Sequence, residues 1–196
     1  MKTRAFLLAL PLLALAACAD NRASVQVQAV CSATDDCTFA ETCDTQALGN
    51  PIIDTARTKV LDLPLQVENQ LPDNTNRAIG KTNTNDAHID EAVVEYQGAY
   101  TGRAVLEMNA VVFASGSSVI FVQIIPSVVG TALGAPGTPR EVLANLKLRG
   151  YYDDGTRFET GEFPVAIKVC TTGCAPTCTS GIYCPHAGQY PVACGT

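Results

Sequence analysis

The chain has 196 residues, of which 47% are hydrophobic, and a formal net charge of −6 at pH 7. An acidic chain without a Lys/Arg cluster has no electrostatic footprint for nucleic acid and no polybasic patch for an anionic membrane surface. The apolar content is sufficient for a hydrophobic core, and the length suits one domain with a small appendage.

A short apolar leader opens the chain. Lys2 and Arg4 precede an uncharged run of 12 residues at 6–17, which is shorter than the roughly 20 apolar residues that a membrane-spanning helix needs. The run ends in the sequence Leu-Ala-Ala-Cys at residues 15–18. This ending resembles the lipobox of bacterial lipoproteins, in which the cysteine becomes the first residue of the mature chain.

The resemblance implies a diacylglyceryl thioether and acyl chains such as palmitate on Cys18, which anchor a protein stably in a membrane. Ala19 stands where an aspartate would retain a lipoprotein in the inner membrane, so the resemblance implies the outer membrane, facing the periplasm or the cell surface. The membrane is then one partner, and another envelope protein is a candidate second partner. An ordinary secretory leader cut near Ala17 or Ala19 is the alternative.

The eight cysteines after Cys18 fall into two groups with none between. They are Cys31, Cys37 and Cys43 near the start, and Cys170, Cys174, Cys178, Cys184 and Cys194 at the end. An exported protein meets an oxidising compartment, so disulfides are predicted. Because the groups hold three and five members, pairing of all eight requires at least one bridge between them. Such a bridge would stabilise the fold by about 4 to 5 kcal/mol in the chain-entropy model.

A zinc site is the competing interpretation of the C-terminal cysteines. Cys170, Cys174 and Cys178 could supply three ligands, with His186 nearby. Glycines and a proline in this segment, at 173, 176 and 181, exclude a regular helix that would align the three thiolates. Disulfides are therefore preferred over metal.

The middle of the chain has the period-two alternation of strands. Residues 25–30, in the tether at 18–30, suit an edge strand. Residues 61–68 also alternate, and Pro64 within them indicates a second edge strand because proline cannot donate a ladder hydrogen bond. Two further strands are predicted at 88–100 and 103–114. The apolar run 119–126 predicts a strand buried on both faces.

The remaining signals complete a β-sandwich. Residues 128–139 contain three Gly and two Pro and predict irregular chain, while Asp154-Gly155 lies between two strand-like runs and predicts a hairpin. We therefore expect an all-β, antiparallel sandwich of immunoglobulin-like architecture over residues 31–169, after a signal peptide at 1–17. Residues 170–196 are predicted to form a disulfide-rich tail.

The Asn-rich segment at residues 72–86 is the first candidate site. The oxygens of Asp73, Asn83, Asn85 and Asp86 are of the kind that Ca²⁺ takes. Asn and Asp are also common in turns, and the spacing does not match an EF-hand. An ordinary loop is the preferred interpretation, with calcium as the alternative.

Catalytic candidates are sparse. Four acids surround the predicted hairpin tip: Asp153, Asp154, Glu159 and Glu162. A glycosidase would need two carboxylates at a defined separation in a cleft, whereas these acids fall on a turn and a solvent face. His88 lacks a recognisable nucleophile motif, and no phosphate-binding or dinucleotide motif is present, so no cofactor is predicted.

The sequence therefore favours a lipid-anchored binding, adhesion or structural module without enzymatic activity. A secreted hydrolase or metal-assisted enzyme using Asp and Glu is the alternative. A periplasmic assembly factor is a third hypothesis, and it predicts an open sheet edge or an apolar groove. Recognition is expected at loops 72–86 and 128–139, although the apolar stretch 128–133 is expected to be buried.

Overall fold

A computed structural model of the chain describes residues 24–31, 43, 50–56, 58–75, 80–134 and 140–171. These residues form nine strands and one short helix. The elements are β1 (Val25–Val30), β2 (Ile52–Asp54), β3 (Leu61–Asn69), β4 (Ala87–Gly98), β5 (Gly102–Val112), β6 (Gly116–Ile125), α1 (Ser127–Leu133), β7 (Arg140–Tyr152), β8 (Arg157–Glu159) and β9 (Phe163–Cys170). Within these ranges, no helix combines the length and the apolar character needed to cross a membrane.

Two sheets pack against each other. One has three strands in the order β1-β3-β6, and the other has six, with β2-β9-β7-β4-β5 in order and β8 paired to β7. Buried side chains of both sheets form one hydrophobic cluster. The predicted β-sandwich is therefore confirmed. One pairing differs from an antiparallel sandwich, since β2 runs parallel to β9.

The predicted hairpins are present. β4 pairs with β5 in antiparallel register, close to the predicted bounds. β7 and β8 form the second hairpin, in which the Tyr152 N–H donates to the Thr156 carbonyl at 2.9 Å. Gly155 has a φ of 84° in this turn, a conformation that glycine adopts at least cost. The Asp-Gly signal thus identified the turn correctly.

The prediction that Pro64 marks an edge strand is wrong. β3 lies between β1 and β6, at the centre of the three-stranded sheet. The Pro64 carbonyl accepts a hydrogen bond from the Cys31 N–H at 2.8 Å. Because the N and C=O of one residue point to the same side of a strand, the missing N–H of Pro64 also faces β1. β1 ends at this point, so proline removes only a terminal hydrogen bond of the ladder.

The prediction of a doubly buried strand at 119–126 is also wrong. In β6 the side chains of Ile120 and Val122 are buried, whereas Phe121 is 50% exposed and Gln123 is exposed. β6 lies at one end of its sheet. Only the inner face of β6 packs on the other sheet, so its outer face carries exposed side chains although the sequence is almost continuously apolar.

A short helix replaces part of the predicted irregular segment 128–139. In α1, Val129 and Leu133 are buried while Val128 is 75% exposed, so the expected burial of this stretch holds for one face of the helix only. Gly130 is one of the three glycines on which the prediction of irregular chain depends. A Cβ at Gly130 would lie 1.9 Å from the carbonyl oxygen of Lys59, so glycine here permits close packing of the helix.

The two ends of the domain meet at the β2–β9 pair. Ile52–Asp54 lies beside Lys168–Cys170, and the Thr55 N–H donates to the Cys170 carbonyl at 2.8 Å. Cys31 forms a disulfide with Cys43, with their Cα atoms 5.2 Å apart. Cys170 is also disulfide-bonded. The other predicted disulfide cysteines and Cys18 lie outside the described residues.

A set of polar contacts, here called the corner network, holds the turn at which the chain passes from β5 to β6. Asn69 is fully buried, and its Nδ2 donates to the carbonyls of Asn85 (2.7 Å) and Val112 (3.1 Å). The Asp86 carboxylate accepts the Ala114 N–H at 2.8 Å. The remaining members are Leu71, whose N–H donates to the Asn69 side chain, and Ser115, whose N–H donates to the Leu71 carbonyl.

Ser115 shows how firmly this turn is fixed. Its φ is 53°, and no other non-glycine residue in the described ranges has a positive φ. Such a conformation costs about 1 to 3 kcal/mol for a residue with a Cβ. The hydrogen bonds of the corner network offset that cost.

A second polar contact joins the sheets through the core. The Tyr96 hydroxyl, on β4, donates to the Ile124 carbonyl on β6 at 2.9 Å. Burial, with a smaller contribution from Tyr100, raises the pKa of Tyr96 far above its ordinary value of 10.0. The hydroxyl therefore stays protonated and remains a donor.

Replacing Asn69 with alanine tests the corner network. The change leaves the carbonyls of Asn85 and Val112 and the N–H of Leu71 without their partner, so we expect a loss of about 2 to 4 kcal/mol in the free energy of unfolding. Urea denaturation measures it. Gln70→Ala, at the exposed neighbouring position, is the control and should change stability little. Equal, small losses in both variants would contradict the role given to Asn69.

Disulfide mapping tests how the two ends are joined. Because Cys31 is bonded to Cys43, Cys37 is the one member of the N-terminal group left to bridge to the C-terminal group. Non-reducing proteolysis with mass spectrometry should find Cys37 linked to one of the five C-terminal cysteines. In Cys37→Ser, one C-terminal thiol should become alkylatable. A free Cys37 in the native protein would contradict this pairing.

Candidate functional site

The oxygens of the Asn-rich loop hold the loop itself together. Asp86 Oδ1 accepts from the Asn83 side chain as well as from Ala114, and Asp73 Oδ1 accepts the Thr75 N–H at 2.7 Å. Asn83 Oδ1 and Asn85 Oδ1 both accept hydrogen bonds within the loop. These oxygens therefore already accept hydrogen bonds that stabilise the loop. Among the described residues, no group of three His, Cys, Asp or Glu is placed to hold a metal ion.

The acids near the β7–β8 hairpin form ion pairs on the outer face of the six-stranded sheet. Glu159 contacts Arg149 at 2.6 Å and Lys147 at 3.5 Å, and Glu162 contacts Lys147 at 3.3 Å. Arg149 also reaches Glu91 at 3.0 Å. An open cleft of about 760 Å³ lies beside this network. Most charged side chains of the cleft wall are thus held in ion pairs, namely Asp90, Glu91, Arg149, Arg157 and Glu159, and Glu107 also lines the cleft.

The pKa shifts of these acids do not suit a general acid. The hydrogen bond from Arg149 lowers the pKa of Glu159, and the hydrogen bond from the backbone N–H of Thr156 lowers the pKa of Asp154. A glycosidase needs one carboxyl whose pKa is raised, so that it stays protonated near neutral pH. The two shifted acids are instead held in the charged form.

His88 belongs to a cross-strand row rather than to a nucleophile pair. Its Nε2 lies 2.6 Å from Asp153 Oδ1, and its ring stacks on Tyr151 with centroids 5.1 Å apart. The Arg157 guanidinium covers Tyr151 at 5.6 Å from the ring centroid. The serines at 117 and 118 lie in β6, in the other sheet. The row therefore stabilises the sheet surface and is not a catalytic triad.

Two neighbouring strand edges form the most distinctive surface of the molecule. β5 ends the six-stranded sheet and β6 ends the three-stranded sheet. In the part of the chain that the structure describes, β5 pairs only with β4, and β6 pairs only with β3. The corner network turns the chain between them, so the two edges run along the same side of the sandwich.

A groove of about 760 Å³, here called the edge groove, lies between these edges. It is lined by residues 106–111 of β5, residues 118–123 of β6, and Asp62 of β3. Leu106, Met108 and Ala110 face the core from β5 but are only partly buried. Three strands cannot cover a sheet of six, so the core-facing side of β5 opens into the groove.

The edge groove combines apolar and acidic character. Its lining includes two exposed apolar side chains, Val111 (36% exposed) on β5 and Phe121 (50% exposed) on β6. Asp62 and Glu107 are the charged residues in the lining, and no Lys, Arg or His is among the lining residues. Exposed apolar strips on a strand edge are typical of sites that bind another chain.

The sequence pattern predicted β5 but not its place in the sheet. Leu106, Met108 and Ala110 alternate with Glu107 and Asn109 as in any half-buried strand. An edge strand and a central strand share this alternation, because strand order depends on contacts between distant segments. Val105 and Phe113 do not mark the edge in the sequence, because their exposure is seen only in the structure.

Comparison with known proteins assigns no family. Neither the protein-family models nor the curated proteins give a match to this chain. The assignment of a function therefore depends on the residues and the geometry described above.

Proposed function

We propose that the protein is a lipid-anchored component of the bacterial outer membrane that acts by binding another envelope protein and not by catalysis. The observation that carries the binding role is the edge groove, where two long strand edges meet beside partly exposed core side chains. Strand edges bind extended segments of other chains through main-chain hydrogen bonds.

The anchoring part of the proposal depends on Cys18 and the short segment after it. β1 begins at Val25, so six residues, 19–24, separate the lipidated cysteine from the sheet. Fully extended, such a segment spans about 20 Å. The sandwich would then be held close to the bilayer, where it meets proteins of the same envelope.

Two alternatives have different support. The hydrolase hypothesis is weakened by the ion pairs of Glu159 and by the lowered pKa values of Glu159 and Asp154. The assembly-factor hypothesis is favoured by the edge groove, since it requires an open edge that accepts a partner strand. The two hypotheses differ in the partner. A binding module holds a stable partner, whereas an assembly factor holds a transient, unfolded client.

Replacing Cys18 with alanine tests the anchor. Without the thiol no diacylglyceryl chain can be attached, so the variant should appear in the soluble fraction after cell lysis, while the native chain sediments with membranes. Asn21→Ala is the control, since it changes a residue of the same segment but leaves the Cys18 thiol in place. Retention of Cys18→Ala in the membrane fraction would contradict lipid anchoring.

Photo-crosslinking tests the binding role. A photoreactive residue at Asn109, which is exposed in the edge groove, should yield a defined adduct with an envelope protein in intact cells. The same residue at Lys168, exposed on β9, is the control and should not give that adduct. Adducts that are equal at both positions, or missing at Asn109, would contradict a binding role for the edge groove.

A further inference from the structure

We infer that the edge groove takes an extended peptide segment in which apolar side chains alternate with lysine or arginine, added as a new strand beside β5. This inference rests on the proposed binding function and names the chemistry of the partner. It goes beyond that proposal because it fixes the backbone conformation, the charge and the strand that is extended.

Backbone geometry favours an extended occupant. β5 has 11 residues and β6 has 10, and in the described part of the chain each is hydrogen-bonded along one side only. An edge presents a row of N–H and C=O groups that a further strand can satisfy. A segment of about ten residues would match the length of either edge.

Side-chain burial selects β5 as the strand that is extended. The core-facing Ile120 and Val122 of β6 are already buried, whereas Leu106 and Met108 of β5 are only partly covered. A strand added to β5 would place every second side chain over these two residues and against β6. Those inward side chains must be apolar, because they complete the hydrophobic cluster.

The acidic residues of the edge groove favour basic side chains on the outward face of the bound peptide. Glu107 lies on the exposed face of β5, Asp62 lines the groove from β3, and no Lys, Arg or His is among the residues that line the groove. Glu107 also lines the cleft beside the ion-pair network, where Arg149 and Arg157 are already paired with other acids. Cross-strand pairs of opposite charge stabilise a sheet, whereas like charges destabilise it. The chain as a whole carries a net charge of −6, which would speed the approach of a basic segment and slow an acidic one.

Three synthetic peptides of ten residues test this inference on the full-length protein purified from membranes. The first alternates lysine and valine, the second alternates glutamate and valine, and the third is the first with every backbone nitrogen methylated. The third keeps charge and side chains but loses the hydrogen-bond donors of both strand edges. Fluorescence anisotropy should show that the first peptide binds at least about tenfold more tightly than the other two.

Two charge reversals locate the binding site. Glu107→Lys should weaken binding of the lysine peptide by about tenfold, because attraction is replaced by repulsion beside the added strand. Glu141→Lys makes the same change at an exposed position of β7, two strands away from β5, and should leave binding nearly unchanged. Both sites are exposed, so the fold should be retained, and thermal melting checks this.

The outcomes separate this inference from the proposed function. Equal binding of the lysine and N-methylated peptides would mean charge attraction without strand addition and would overturn the inference. Three other results would also overturn the inference. They are equal binding of the lysine and glutamate peptides, no binding of any peptide, and self-association of the protein with which the lysine peptide does not compete. A groove-specific crosslink at Asn109 would still support the binding function in each of these cases.

Discussion

The fold depends on one buried amide, that of Asn69. Its side chain ties the end of β3 to the end of β5 and to the Asn-rich loop, within a core where an unpaired polar group would be costly. Asp86 and Ser115 complete the corner at which the chain leaves one sheet and enters the other. Because that corner is fixed, β5 and β6 must run along the same side of the sandwich.

The unequal width of the two sheets accounts for the edge groove beside this corner. A six-stranded sheet packed on a three-stranded one leaves part of its inner face uncovered, and α1 adds only Val129 and Leu133 to the core. Leu106 and Met108 therefore remain partly exposed between two strand edges. The outer face differs, since Lys147, Arg149 and Arg157 are held there in ion pairs with acids. Recognition is accordingly proposed at the groove between the sheets and not on their outer surface.

The sequence predicted local structure better than strand order. The Asp154-Gly155 turn and the alternation in β4 and β5 depend on short-range stereochemistry, so they were predicted correctly. The edge strand predicted from Pro64 is wrong because the effect of this proline depends on where the neighbouring β1 ends. The helix around Gly130 was not predicted because this glycine permits close packing against the backbone of Lys59, which is a contact between distant segments. The edge groove could not be predicted for the same reason, since it arises from which strands end each sheet.

Residue-resolved amide hydrogen exchange on the full-length protein tests the open edges most directly. Along β5 and β6, amides should alternate between slow exchange, where they donate to β4 or β3, and fast exchange, where they face the groove. The central strands β4 and β7 should be slow throughout, as should β3 from Leu65 onward, since these segments are paired on both sides. Uniformly slow exchange along both β5 and β6 would contradict open edges.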